Sequence, residues 1–126
     1  MESQSGKRRY DLAERLTEYA LMILDIVEDL PNTRLGNHVA GQLIRCGTSP
    51  AGNYAEAQAA ESRADFTHKL KIVLKELREC RFWLTIIHRK ALVKDLDRVR
   101  EALTETDELI GIFVKSIQTA KKNAEK

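Results

Sequence analysis

An all-α fold, specifically an antiparallel up-down four-helix bundle, is what this sequence predicts. Apolar residues recur every three or four positions along nearly the whole chain, capping and turn residues punctuate that rhythm, and no stretch alternates apolar and polar as a half-buried strand would. Helices joined by short connections most simply pack antiparallel, each beside its sequence neighbour. At 126 residues the chain suits one domain with a single core. That domain is placed at 11–120, after a flexible basic segment at 1–10 and before a polar tail at 121–126.

The first helix is expected from Asp11, whose side chain can cap free amides, to Leu30, where Pro31 and Asn32 stop it. Its stripe is Leu12, Leu16, Tyr19, Ile23, Ile26 and Leu30. The second helix starts near Asn32 to Gly36 and carries Leu35, Val39, Leu43 and Cys46. Gly47, Pro50 and Gly52 then predict a kink or break near Pro50, because proline lacks a backbone donor and glycine lowers helix stability. Ser62 followed by Asp65 caps a third helix that presents Phe66, Leu70, Val73, Leu77, Leu84 and Ile87 and reaches about Lys90. The fourth begins near Asp95 and presents Leu96, Val99, Leu103, Ile110, Phe113 and Ile117, with fraying expected from Lys121 onward.

Composition narrows the function classes. The formal charge of +2 is the difference between 21 basic and 19 acidic residues, so any electrostatic signal must be local. No segment reads as a signal peptide or a membrane span, which places the protein in the cytoplasm with no membrane partner. Cys46 and Cys80 sit at apolar helix positions and read as reduced thiols packed as small hydrophobes, not as a disulfide. His38, His68 and His88 have no partner at metal-ligand spacing, and no metal or other cofactor is expected. Ser49 lacks an adjacent base, and Asn53 with Glu56 lacks a second poised group, so the chain is read as no enzyme and without a small-molecule substrate. Asn53 and Glu56 are instead structural polar residues, the asparagine a buried amide bonded to a neighbouring helix.

The third helix carries more than a core face. Ile72, Phe82, Trp83 and Ile86 fall on its back and flank, and a second apolar arc rich in aromatics predicts an interface between copies of the chain. The competing expectation is that the second helix or a loop covers this arc within one chain. Lys71, Lys75, Arg78 and Arg89 form a basic stripe beside Phe82, which could follow a phosphate backbone while the ring stacks on a base. Ordinary solvation, with Lys75 and Glu79 as an i,i+4 pair, is the alternative. The first helix is acidic, with Asp11, Glu14, Glu18, Asp25, Glu28 and Asp29 against Arg15, so acidic and basic helices of neighbouring subunits could also meet head to tail.

The run from Gln42 through Arg45-Cys46-Gly47-Thr48-Ser49-Pro50-Ala51-Gly52-Asn53-Tyr54-Ala55-Glu56-Ala57, continued by Glu61-Ser62-Arg63-Ala64-Asp65-Phe66 and by Lys75-Glu76-Leu77-Arg78-Glu79-Cys80-Arg81-Phe82-Trp83-Leu84, resembles the bacterial four-helix bundle proteins encoded in intervening sequences of 23S ribosomal RNA genes. Arg45 to Ser49, Asn53, Glu56, Asp65, Lys69, Lys75, Glu76, Arg78, Glu79 and Trp83 match that pattern, whereas Cys46 and Cys80 replace commoner serine and threonine and Gly52 replaces alanine. The resemblance implies a homopentameric ring. It also brings in accessory proteins of diversity-generating retroelements, which look like the same ring and bind a reverse transcriptase and RNA. The expected function is therefore a self-associating bundle that contacts RNA or an RNA-protein complex through Lys71, Lys75, Arg78 and Arg89, with a protein adaptor ring as the alternative.

Overall fold

The computed structural model describes residues 11–124; the basic segment and the last two residues of the tail lie outside the described residues. Four helices follow one another: α1 (Leu12–Glu28), α2 (Arg34–Gln58), α3 (Arg63–Lys90) and α4 (Leu96–Ala124). No strand occurs among the described residues. Side-chain pairs fix the directions. Glu56 meets Lys69 while Arg45 meets Glu76, Arg63 meets the end of α4 while Arg81 meets Asp107, and Arg15 meets Glu105 while Asp29 meets Arg98. Rising numbers on one helix meet falling numbers on its neighbour in each case, so the bundle is antiparallel and up-down, as the sequence predicts.

The helix ends follow from local chemistry. Asp11, Thr33 and Ser62 each accept a backbone N–H three residues on, which satisfies amides that lack a carbonyl in the first turn. At the end of α3, Ala91 takes a left-handed conformation (φ 52°), and the next N–H, that of Leu92, reaches back 3.0 Å to the Ile87 carbonyl.

The core is one cluster built from the inward stripes of all four helices, with Leu16, Tyr19, Ile23, Leu43, Leu70, Leu77, Leu84, Leu109 and Phe113 closed to solvent. Three expectations need correction. First, of the kink or break expected near Pro50, the break does not occur: α2 continues as helix through it. Pro50 and its neighbour Gly47 are buried, and a Cβ on Gly47 would come within 2.5 Å of Ile23, so close packing of α1 on α2 holds the segment in helical register despite the missing donor. Second, α4 runs on to Ala124, although its residues from Lys121 are exposed. Third, the inward residues of α4 include Ala102, Thr106 and Leu109, while Leu103 and Ile110 only flank the core; Leu35, expected inside, is 43% exposed.

Candidate nucleic-acid interface

Two surfaces of α3 lie side by side. Its outward ridge carries Lys71, Lys75, Arg78 and Arg89, all exposed, and spans about 27 Å at the rise of an α-helix. None of the four is in an ion pair among the described residues. The Lys75–Glu79 pair of the alternative reading does not form; Glu79 Oε2 is taken instead by Arg45 from α2. Phe82 stands among these cations with 55% of its surface exposed. Such a ridge offers mobile positive charge and one open aromatic face, the combination that single-stranded nucleic acid binds.

The flank of α3 that faces α2 is different. There Ile72, Trp83 and Ile86 are half-buried, so the four residues expected to share one interface divide, with Phe82 alone on the open ridge. The second helix covers part of the arc: the His38 ring meets Trp83 edge-on at 5.6 Å, and Trp83 in turn meets Phe82 edge-on at 4.9 Å. Beside them Arg45 Nη1 donates to Glu76 Oε2 at 3.0 Å, Arg45 Nη2 contacts Glu79 and Gln42, and Trp83 Nε1 donates to Glu79 Oε2 at 3.4 Å. The Glu76 side chain is only 9% exposed, and its single guanidinium partner is 52% exposed. Two carboxylates thus share one arginine, and the seam carries a net negative charge next to half-buried apolar side chains.

Residues further along α2 are local. Asn53 does not bond a neighbouring helix. Its amide donates to the Ser49 carbonyl at 3.1 Å and to Ser49 Oγ at 2.8 Å, because a short polar side chain one turn on finds its own backbone first. Glu56 is exposed and bridges α2 to α3 through Lys69 at 3.0 Å. Charge pattern alone does not single out the buried Glu76 or its link to Arg45. The available signal was the spacing of Glu76, Glu79 and Trp83, which puts them on one flank of α3 with Ile72. Among the described residues no group of three His, Cys, Asp or Glu side chains could hold a metal ion, and no helix is long and apolar enough to cross a membrane.

An antiparallel four-helix bundle with a polar seam between its second and third helices and a bare basic ridge beside it defines the class of molecule. The family described as 23S rRNA-intervening sequence protein matches residues 8–115, and the chain belongs to that family. A crystal structure of a protein of unknown function from the S23 ribosomal protein family of Bacteroides thetaiotaomicron is similar, with a TM-score of 0.76 and 30% sequence identity over 83% of this chain and 96% of that one. No curated protein is similar to the chain.

Proposed function

We propose that the chain is a non-enzymatic, self-associating bundle that contacts RNA, alone or in complex with a protein such as a reverse transcriptase, through the outward ridge of α3. One observation carries this reading: Lys71, Lys75, Arg78 and Arg89 line up on one face of α3 with the exposed Phe82 among them and have no carboxylate partner among the described residues, so four cations and one open ring share a single ridge. Cations left unpaired on a folded surface cost little in water and gain most from a polyanion, through release of its counterions. Self-association is supported by the half-buried Ile72, Trp83 and Ile86, which border the charged seam, and a homopentamer is the subunit number that family resemblance favours.

A second reading makes the ring a protein adaptor. It is favoured by the exposed carboxylates Glu14, Glu18, Asp25 and Glu28 on α1, which could receive the ridge of the next subunit. One double substitution separates the two. Lys75→Glu with Arg78→Glu abolishes RNA retention at unchanged solution mass if the ridge binds RNA, and dissociates the oligomer if the ridge binds α1. RNA affinity is expected to fall steeply with added salt; affinity indifferent to salt, or absent at low salt, overturns the RNA reading.

A further inference from the structure

On the α4 side of the ridge lies an open, groove-like cavity of about 470 Å³ lined by Arg78, Arg81, Phe82, Thr85, Asp107 and Ile110. We propose that this cavity holds one unstacked guanine base of a single-stranded RNA, an inference that rests on the RNA reading above and specifies its ligand. Phe82 gives the base a face to stack on, and the half-buried Ile110 adds apolar wall. Bases inside a duplex are already stacked on one another, so an exposed ring within a basic stripe is useful only to a strand whose bases are free. Arg78, which has no carboxylate partner among the described residues, also lines the cavity, where it would meet a phosphate of a strand dipping one base into it.

The choice of guanine comes from Asp107. Its carboxylate only accepts hydrogen bonds, and Arg81 Nε donates to Oδ1 at 2.6 Å in a pair exposed on both sides, which leaves Oδ2 without a partner among the described residues. Guanine presents two adjacent donors, N1–H and the N2 amino group, on its Watson–Crick edge. Adenine and cytosine each place an acceptor beside their amino group, and uracil offers one N–H between two carbonyls. With Oδ2 open and a second lone pair on Oδ1 beside the Arg81 bond, the Asp107 carboxylate can accept from both guanine donors and from at most one donor of each of the other bases. Thr85 Oγ1 donates its proton to the Arg81 carbonyl at 2.7 Å, so its remaining lone pairs can accept from a ribose 2′-hydroxyl.

The test uses the whole chain and fluorescein-labelled uridine dodecamers with one central guanosine or one central adenosine, followed by anisotropy, together with the guanosine strand annealed to its complement. The guanosine strand is expected to bind about tenfold tighter than the adenosine strand and than the duplex. Asp107→Asn levels guanosine with adenosine. Phe82→Ala weakens single strands about tenfold with the salt slope unchanged, and Phe82→Trp restores them. Equal affinity of the parent protein for the strands, or a guanosine preference that survives Asp107→Asn, overturns the pocket and leaves the ridge standing. Failure of every nucleic acid to bind at low salt overturns both. A change of subunit number in Phe82→Ala by light scattering places the ring against a second copy of the chain and also overturns the pocket.

Discussion

The hydroxyls of Tyr19 and Thr106 meet at 2.7 Å inside the core, and Thr106 Oγ1 is also 2.6 Å from the Ala102 carbonyl one turn back on α4. The carbonyl can only accept, so the threonine proton goes to it and the tyrosine proton to the threonine oxygen. That order makes the two ends unequal. Tyr19→Phe removes a donor and leaves Thr106 still bonded, at an expected cost of about 1 kcal/mol; Thr106→Val strands a buried phenol and is expected to cost about 1–3 kcal/mol. Urea unfolding of the two variants and of the double variant checks the order, with the double variant less destabilised than the sum of the singles. A Tyr19→Phe variant that unfolds more easily than Thr106→Val reverses the assigned direction of donation.

Cys80 adjoins the same phenol. Its Sγ lies 3.3 Å from Cys46 Sγ, and that contact, with burial, holds the Cys80 thiol in its protonated form far beyond the usual thiol range; burial, with the nearby thiols, does the same for Tyr19. Both groups ionise far more easily in the unfolded chain, at about pH 8.5 for cysteine and about pH 10 for tyrosine. The unfolded state therefore sheds protons that the folded state keeps, so their contribution to stability is complete below about pH 8.5 and is lost as pH rises. Each group adds a slope of about −1.4 kcal/mol per pH unit once its unfolded value is passed. Urea unfolding between pH 7 and pH 10.5 is expected to show this decline, shallower in Cys80→Ala. Equal slopes in the two proteins would show that Cys80 is not held protonated.

The four helices could be read from the sequence because each rests on short-range chemistry: Asp11 or Ser62 before a run with helical spacing, and Pro31 after one, whereas the Thr33 cap of α2 shows only in the structure. Pro50 misleads for the opposite reason. Local propensity says break, and the burial of Gly47 against Ile23, a contact between separate helices, overrides it. Helical spacing also separated the ridge of Lys71, Lys75, Arg78 and Arg89 from the core face of α3. It could not show that Glu79 would leave Lys75 for Arg45, nor that His38 would come against Trp83, because both depend on how α2 lies on α3. The likeness to a known family pointed to Arg45, Glu76 and Glu79 without saying that they meet. The cavity beside Phe82 was invisible in the sequence, since Asp107 comes from α4.

Gly47 and Gly52 stand little more than one turn apart on α2 and are expected to respond oppositely to alanine. A Cβ at Gly47 would lie 2.5 Å from Ile23 Cγ2 and 3.0 Å from Ile23 Cβ, so α1 and α2 must separate, at an expected cost of about 1–3 kcal/mol. At Gly52 nothing lies within 4 Å of the position, and alanine there should stabilise the helix by about 0.5–1 kcal/mol. Thermal melts of the two single variants decide the matter. A Gly52→Ala protein that loses stability or changes solution mass would place that face of α2 against another subunit.

Arg45 is half-exposed, yet it is the only cation paired with the nearly buried Glu76 among the described residues. Removing it in Arg45→Ala leaves a carboxylate out of water with no opposite charge, which is expected to cost about 1–3 kcal/mol even though a surface arginine ordinarily contributes little. The same substitution in a Glu76→Leu background should cost much less, because no charge is then stranded, and a double-mutant cycle in urea measures the difference. Trp83, the single tryptophan of the chain, provides a second readout. Its indole N–H bonds Glu79 at 3.4 Å, and Glu79 is the other carboxylate on Arg45, so Arg45→Ala should shift Trp83 emission in the folded protein. Unchanged emission with additive energies would show that Arg45 acts only as a surface charge and that the seam between α2 and α3 is not one connected network.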